Sequence, residues 1–386
     1  MTILGLMSGT SLDGIDLALC RISGSAYQVL AATTVPYTDH WRQRLASLEH
    51  SSALDYAKAH VELGHLYGKV INEFLSDKSV VVDAIASHGH TIFHQPHLGL
   101  TTQIGDPDAI AATTGIQVVG NFRTLDVALG GQGAPLVPIG DELLFPHYDA
   151  CLNLGGIANI SYRSKVGGMR YEGGGMRSEV GGGTRPSDLI PPPSALRLPT
   201  SALKRIAFDI CPCNMALNRL AARLSHPFDP EGSIARRGAC RSTLLGLLDG
   251  LDFYSAKPPK SLGKEWFLAD FWPRVDAADG SAEDLLCTVV HHIARQVAHV
   301  VGQQRIGSML ITGGGAFNKY LVECITDLLP SVEVIVPDSE TVNYKEAIIF
   351  AFLGYLRLSG QVNTLASVTG ARCDSVGGTI SGFCLK

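Results

Sequence analysis

The chain has 386 residues, 46% of them hydrophobic and 17% charged, with a formal net charge of −5 and a pI near 6.2. That length suits about two to three domains, and the slightly acidic balance leaves no electrostatic footprint for nucleic acid. Nine scattered cysteines without a CxxC pair point to a reducing compartment. With no leader-like start and no run of about 18 apolar residues, the expectation is a cytoplasmic protein without nucleic-acid or membrane partners.

The stretch "GLMSGTSLDGIDLALC" (5–20) has two apolar arms around a turn of small and polar residues, so 3–22 reads as strand, turn, strand. A tight Gly-containing turn aims several backbone N–H groups into one concavity, which suits an anion. Hydroxyls of Ser8, Thr10 and Ser11 would add donors to phosphate oxygens, and Asp13 would hold Mg²⁺ through water. Ser, Asp and Gly are also what ordinary hairpin turns contain, so this turn alone leaves both readings open. Further on, Leu63, Tyr67, Val70 and Phe74 recur at helical spacing.

"VVVDAIASHGHTIFHQP" (80–96) reads as a short buried strand running into a polar loop with His88, His90 and His94. On a strand His88 and His90 would share a face, but without an acidic partner at telling spacing, ligand contacts or plain loop structure fit better than a metal site. A strand at 116–122 leads to "GGQGAPLVP" (130–138), a crossing between domains. "ACLNLGGIANISY" (150–162) then repeats the design of the opening hairpin, which suggests two related lobes facing each other.

Residues 163–205 break this organisation: "GGMRYE" (167–172) recurs as "GGMRSE" (174–179), and a Pro-rich stretch follows. Few of these residues can build a core, so a flexible, basic surface insertion is expected, a spacer in which the hexapeptide marks a translated repeat element. "RIAFDICPCN" (205–214) closes an apolar strand with Asp209 and continues into a proline-containing turn. A carboxylate at a strand end facing a cleft suits a general base. Cys211 and Cys213 lack the second ligand pair that tetrahedral zinc requires and read as small residues in a tight turn. A long helix follows with Leu286, Val290, Ile293, Val297 and Val300, on which His291 and His292 read as packing. "SMLITGGGAFNKYLVECITDLL" (308–329) reads as strand, Gly-rich turn and helix, a place where a ligand approaches backbone. "YKEAIIFAFLGYLRL" (344–358) reads as a buried helix with Glu346 at its start, either capping the dipole or reaching into a cleft.

Taken together, "GLMSGTSLDGID", "SHGHTIFHQP", "TQIGDP", "GGQGAPLVP", "LNLGGIANIS", "FDICPCN", "PKSLGKEWF", "TGGGAFN", "KEAIIFAFLGYLRL" and "SVTGA" resemble the anhydro-N-acetylmuramic acid kinase family, in the family's order and outside 163–205. The resemblance implies an α/β, two-lobed, actin-like (ribonuclease H-like) ATPase fold with ATP in the cleft between lobes. Residues 1–125 and 338–386 would form the first lobe and 126–337 the second. It also implies that Gly9, Thr10, Ser11, Leu12, Asp13, Gly14, Ile15 and Asp16 bind ATP phosphates, with Mg²⁺ at Asp13, and that Gly313, Gly314 and Gly315 approach the adenosine side. Asp209 would be the base that activates water against the anomeric carbon of the 1,6-anhydro sugar while O6 takes the γ-phosphoryl group, and Glu346 a second carboxylate at the site. The implied partners are a small sugar and a second copy of the chain in a homodimer.

Three departures from the family pattern stand out. Asp209-Ile210-Cys211-Pro212-Cys213-Asn214 replaces the commoner D-T-G-P-G-N, Asn121 stands where an aspartate is usual before Phe-Arg, and the insertion precedes the base strand. These keep two alternatives in view, a same-fold kinase for another sugar and a nucleotide-binding sensor without turnover.

Overall fold

The computed structural model describes residues 1–9, 12–163, 205–258 and 260–382; Thr10, Ser11 and the body of the 163–205 insertion, its repeated hexapeptide included, lie outside the described residues. Among the described residues, two sheets organise the fold. The first contains β1 (Thr2–Ser8), β2 (Gly14–Ser23), β3 (Ala26–Pro36), β4 (Ala84–Gln95), β5 (Leu100–Ile104), β6 (Val118–Gly120) and β12 (Thr379–Ser381), in the order β12-β6-β4-β1-β2-β3 with β5 paired to β4. The second contains β7 (Ala150–Leu154), β8 (Ile157–Arg163), β9 (Arg205–Pro212), β10 (Ser308–Thr312) and β11 (Glu333–Ile335), in the order β11-β10-β7-β8-β9.

Both sheets follow one plan. A central strand (β1 or β7) heads an antiparallel meander on one side, β2-β3 or β8-β9. Parallel strands extend the sheet on its other side, β4-β6 or β10-β11. The two hairpins of the sequence therefore start two halves of equal topology, and the fold is the two-lobed α/β arrangement.

Alternation along the first sheet shows how the core divides. Successive strand side chains point to opposite faces, so Ile3, Ala18, Cys20 and Ile22 pack on one side and Leu4, Leu6, Ile15, Leu17 and Leu19 on the other. Helix Ala53–Leu75 covers the second face through Leu63, Tyr67 and Ile71. Helix Ser339–Leu358, capped by Asp338 accepting from the Thr341 amide, covers the first. It is apolar nearly all round because its packing extends from Ile3 and Ala86 of the first sheet to Cys151, Ala207 and Leu310 of the second.

The approach of this helix to β1 requires glycine at position 5, because a Cβ there would overlap the Ala347 carbonyl oxygen and lie 2.8 Å from the Ala351 amide nitrogen. Backbone atoms on both sides leave nothing to repack. Gly5→Val is expected to cost about 3 kcal/mol or more, read as a fall in the urea midpoint; an unchanged midpoint would contradict this spacing.

Three local expectations change. The polar half of 80–96 is strand rather than loop, because β5 pairs with it from His90↔Ile104 to Gln95↔Leu100. Asp209 does not close its strand: β9 runs on to Pro212, with a register shift opposite Ala158 and Asn159. Glu346 lies two turns inside its helix, beyond the first-turn positions where the helix dipole acts.

Candidate active site

The turn between β1 and β2 closes through the Leu12 amide donating to the Gly9 carbonyl (3.3 Å), with Leu12 in the left-handed region at φ 62°. A non-glycine residue there is uncommon. Gly14 is demanded by packing, since a Cβ would lie 2.6 Å from the Val35 carbonyl oxygen. Ile15 points into the core, which leaves its backbone for any ligand. Ser8 departs from expectation. Its hydroxyl is buried and engaged within the protein, 2.7 Å from the Tyr37 hydroxyl and 2.9 Å from His90 Nδ1.

Gly9, Asp13, Gly14, Asp16 and Glu346 line one cleft of about 390 Å³, with Asn343 and Tyr344 one turn earlier on the helix that carries Glu346. Thr34 donates to Asp16 Oδ1 at 2.6 Å. Burial pushes the Asp16 carboxyl above its usual range against this bond, and the Asp13 carboxylate adds to the rise. Glu346 is also pushed up by burial, opposed by the cations Lys345 and Arg123 and helped by Asp16 and Asp141.

Lys345 ties this wall to the second sheet. Its Nζ lies 2.7 Å from Asp141 Oδ1, on helix Val137–Leu144, and Asp141 also accepts from the Ser161 hydroxyl of β8. Burial pulls the Lys345 ammonium down, but the Asp141 carboxylate and Cys151 together outweigh it and hold the pKa above normal. Next to this pair, Glu142 accepts from both Arg163 (2.9 Å) and the fully buried Arg205 (2.8 Å), the paired end residues of β8 and β9. The proposed limits of the insertion thus include two residues of the ladder itself.

Asp209 stands on β9, paired to Asn159 and partly buried. Its Oδ2 accepts from the Leu262 amide at 2.8 Å, and its own amide donates to the Lys260 carbonyl at 3.2 Å. Burial pushes its carboxyl up to about 6, against the lowering pull of the Leu262 amide. Cys211 and Cys213 nearby are completely buried, and burial raises both thiols, Cys213 to about 12. Cys211 lies within β9 and Cys213 has φ −126° and ψ −106°, so neither cysteine takes up a positive φ where the family has glycine, although Cys213 falls outside both the helical and the extended regions.

The second hairpin turn meets the start of helix Asn214–Ala222. The amides of Cys213 and Met215 donate to the Gly156 carbonyl, that of Asn214 to Gly155, and Asn214 Nδ2 to the Leu154 carbonyl at 2.9 Å. Gly313, at φ 79°, and Gly315 fit against the same corner, where added Cβ atoms would run into Asn153 and Leu154. The turn Gly314–Phe317 also packs on helix Ser339–Leu358, so one helix touches the Gly-rich turn and presents Glu346 to the first cleft.

Sequence reasoning missed Arg123, Asn153 and Asn214. Arg123 donates from Nε to His88 Nε2 (3.0 Å) and from Nη1 to the Gly133 carbonyl (2.7 Å); burial lowers its pKa to about 10, with the Glu346 and Asp126 carboxylates opposing. With Nε2 accepting, His88 Nδ1–H donates to the Gly89 carbonyl at 2.9 Å, and burial keeps the ring neutral. His90 is likewise lowered by burial, to about 4. Both rings therefore serve internal bonds. Among the described residues no three His, Cys, Asp or Glu side chains gather to ligate a metal directly. Asn121 sits at φ 56°, a conformation that Asn tolerates, and its Nδ2 donates to Thr379 Oγ1 at 3.0 Å, fastening β6 to β12. No helix among the described residues is long and apolar enough to cross a membrane.

The sequence profile of the family described as "Anhydro-N-acetylmuramic acid kinase" matches residues 1–168 and 196–382. Relatives bearing that name include one from Salinibacter ruber, 32% identical over 98% of this chain and 96% of its own length. Another, from Vibrio parahaemolyticus, is 33% identical over 95% of each chain. One from Bacillus cereus is 32% identical over 99% of each. With the profile passing over only 169–195 in the body of the match and the relatives aligned along nearly their whole length, the chain belongs to the anhydro-N-acetylmuramic acid kinase family.

Proposed function

We propose that this chain is an ATP-dependent kinase that opens 1,6-anhydro-N-acetylmuramic acid with water and phosphorylates O6, giving N-acetylmuramic acid 6-phosphate and ADP in cell-wall recycling. Residues 1–125 and 338–386 form one lobe of this enzyme and 126–337 the other, with the substrates in the cleft between them. The observation that carries the reading is Asp209, a carboxyl raised to about 6 and aimed by the backbone of Lys260 and Leu262. Such a group is ionised at neutral pH and still a competent proton acceptor. It takes a proton from water as the water oxygen bonds to the anomeric carbon. The bond from that carbon to O6 breaks, and O6 bonds to the γ-phosphorus as ADP leaves.

The turn Gly9–Asp16 supplies backbone amides to the phosphates, and Gly313–Gly315 admit the nucleoside against backbone. Phosphoryl transfer depends chiefly on positioning and charge neutralisation. The carboxylates of Asp13, Asp16 and Glu346, which line one cleft, are hard oxygen donors that fit Mg²⁺ held through water and phosphate oxygens, with Asp13 the most exposed. When bound, Mg²⁺ would neutralise charge on the β- and γ-phosphates. Glu346 balances Arg123 and Lys345 across the cleft wall. The reaction is assigned to the cytoplasm, where ATP is available, and the homodimer expected for the family is checked by light scattering.

Incubation with ATP, Mg²⁺, the anhydro sugar and ¹⁸O-water tests the reading. It requires stoichiometric ADP and sugar 6-phosphate with the label on the anomeric hydroxyl. Product only from a different sugar would replace the substrate assignment, and ATP binding without product would identify a sensor. Family membership along nearly the whole chain favours the first outcome.

A further inference from the structure

A chain of polar contacts runs behind the loop that holds Asp209. Asp249, the last residue of helix Ser242–Asp249, meets His292 Nδ1 at 2.7 Å, Gln296 Nε2 at 3.0 Å and Arg295 Nη1 at 3.1 Å, all on helix Ala282–Gly302. The other ring nitrogen, His292 Nε2, lies 2.9 Å from the Tyr254 hydroxyl. A carboxylate only accepts, so Nδ1–H donates to Asp249, and Nε2 of the neutral ring accepts from Tyr254. The ring is fully buried, and burial pulls its pKa below normal in spite of Asp249.

Tyr254 belongs to the one-turn helix Asp252–Ser255. The carbonyl of its neighbour Phe253 accepts from Lys260 Nζ at 3.0 Å, and that ammonium lies 4.5 Å from the Phe253 ring centroid. The Lys260 carbonyl and the Leu262 amide then hold the Asp209 amide and carboxylate. A single helical turn has little stability of its own, so what fixes it must come from outside. The Tyr254–His292 bond is that external tie, joined by the packing of Tyr254 and Phe253 on Trp266.

We infer that Asp249, His292 and Tyr254 are positioning residues for Asp209, fixing helix Asp252–Ser255 and through it the 260–262 backbone that aims the base. The inference rests on Asp209 being that base. It gives a task to His292, which the sequence pattern assigned to packing, while its neighbour His291 merely meets the Tyr320 hydroxyl at 3.2 Å. Small errors in aiming a reacting group cost rate steeply, which is what a relay of directional bonds prevents.

Tyr254→Phe tests it, because the ring and its packing stay and only the hydroxyl goes. We expect kcat to fall about tenfold with KM for ATP unchanged. The acid limb of kcat/KM, expected near pH 6 for the wild type, should move upward, because the Leu262 amide that holds the Asp209 carboxyl down becomes less well placed. Cys211 on β9 is a titratable neighbour of Asp209, and Lys260 on the loop, Cys213 and Asp249 in turn act on that thiol. Amide hydrogen exchange across 260–263 should quicken while the melting temperature moves little. Wild-type kcat overturns the inference, as does a fall in kcat with neither a moved limb nor faster exchange. Turnover surviving in Asp209→Asn overturns the base reading instead, and the exchange measurement, which needs no turnover, judges the bond chain separately.

Discussion

Asp209→Asn should abolish turnover, leave ATP affinity within about twofold, and yield a protein that melts at a higher temperature than the wild type. The first effect follows from the base role, since an amide cannot take the proton of the attacking water. The second follows from place: Asp209 is on β9, whereas the cleft under the first hairpin turn is lined by Gly9, Asp13, Gly14, Asp16 and Glu346. The third is a linkage effect. The folded carboxyl titrates near 6 against an ordinary 3.8, so its contribution to stability is complete below about 3.8 and is lost as pH rises through 6. At pH 7.5 the ionised group costs up to about 3 kcal/mol, less whatever solvent relieves at this partly exposed site. Asparagine removes that cost and still accepts from the Leu262 amide. The gap in melting temperature should therefore be wide at pH 7.5 and close as the pH falls toward 4. Substantial residual turnover would remove Asp209 from the base role, and a gap independent of pH would refute the raised carboxyl.

Lys345→Met should lose about 3–5 kcal/mol of stability, the usual cost of stranding one partner of a buried ion pair. Asp141 would keep the Ser161 hydroxyl and the Cys151 thiol but no cation partner of its own, in a setting almost closed to water. Adding Asp141→Asn should restore most of the loss, because it removes the stranded charge while the amide oxygen still accepts from Ser161. Activity should not return with it. Glu346, one residue along the helix, would still lack one of the two cations that hold its carboxyl down, so its pKa would climb further. Urea titration of the two variants, set beside their kcat, separates the effects. A double variant that regained both stability and full rate would show that Lys345 serves packing alone.

Much of this architecture was legible in the sequence because period-2 and helical patterns answer to local geometry. The hairpins at 3–22 and 150–162, the helix with Leu63 and Tyr67, and the buried helix at 344–358 all stand where their apolar spacing puts them. What escaped depends on partners far away in the chain. The polar half of β4 looks like a loop until β5 pairs with it. Ser8 looks like a phosphate donor until Tyr37 and His90 close around it. Arg123 gave no signal of its own, since its neighbours His88, Gly133 and Glu346 are spread over the chain. Nor did Asn214, whose bond to the Leu154 carbonyl exists only once the second hairpin turn meets its helix.

Arg163 and Arg205 stand opposite each other at the end of the β8–β9 ladder away from the Gly155–Gly156 turn, both bonded to Glu142. Asp209 is four residues further along β9, roughly 13 Å at the usual rise per residue. The chain therefore departs and returns at a single clasped doorway, held by the bonds of both arginines to Glu142. Loop-closure cost grows only with the logarithm of length. Natural variation in chain length, an affinity tag or a fluorescent label should thus be better tolerated between these two arginines than at the turns around the cleft. For an evolving gene, this should be a place where sequence is gained or lost at little cost to the rest of the fold.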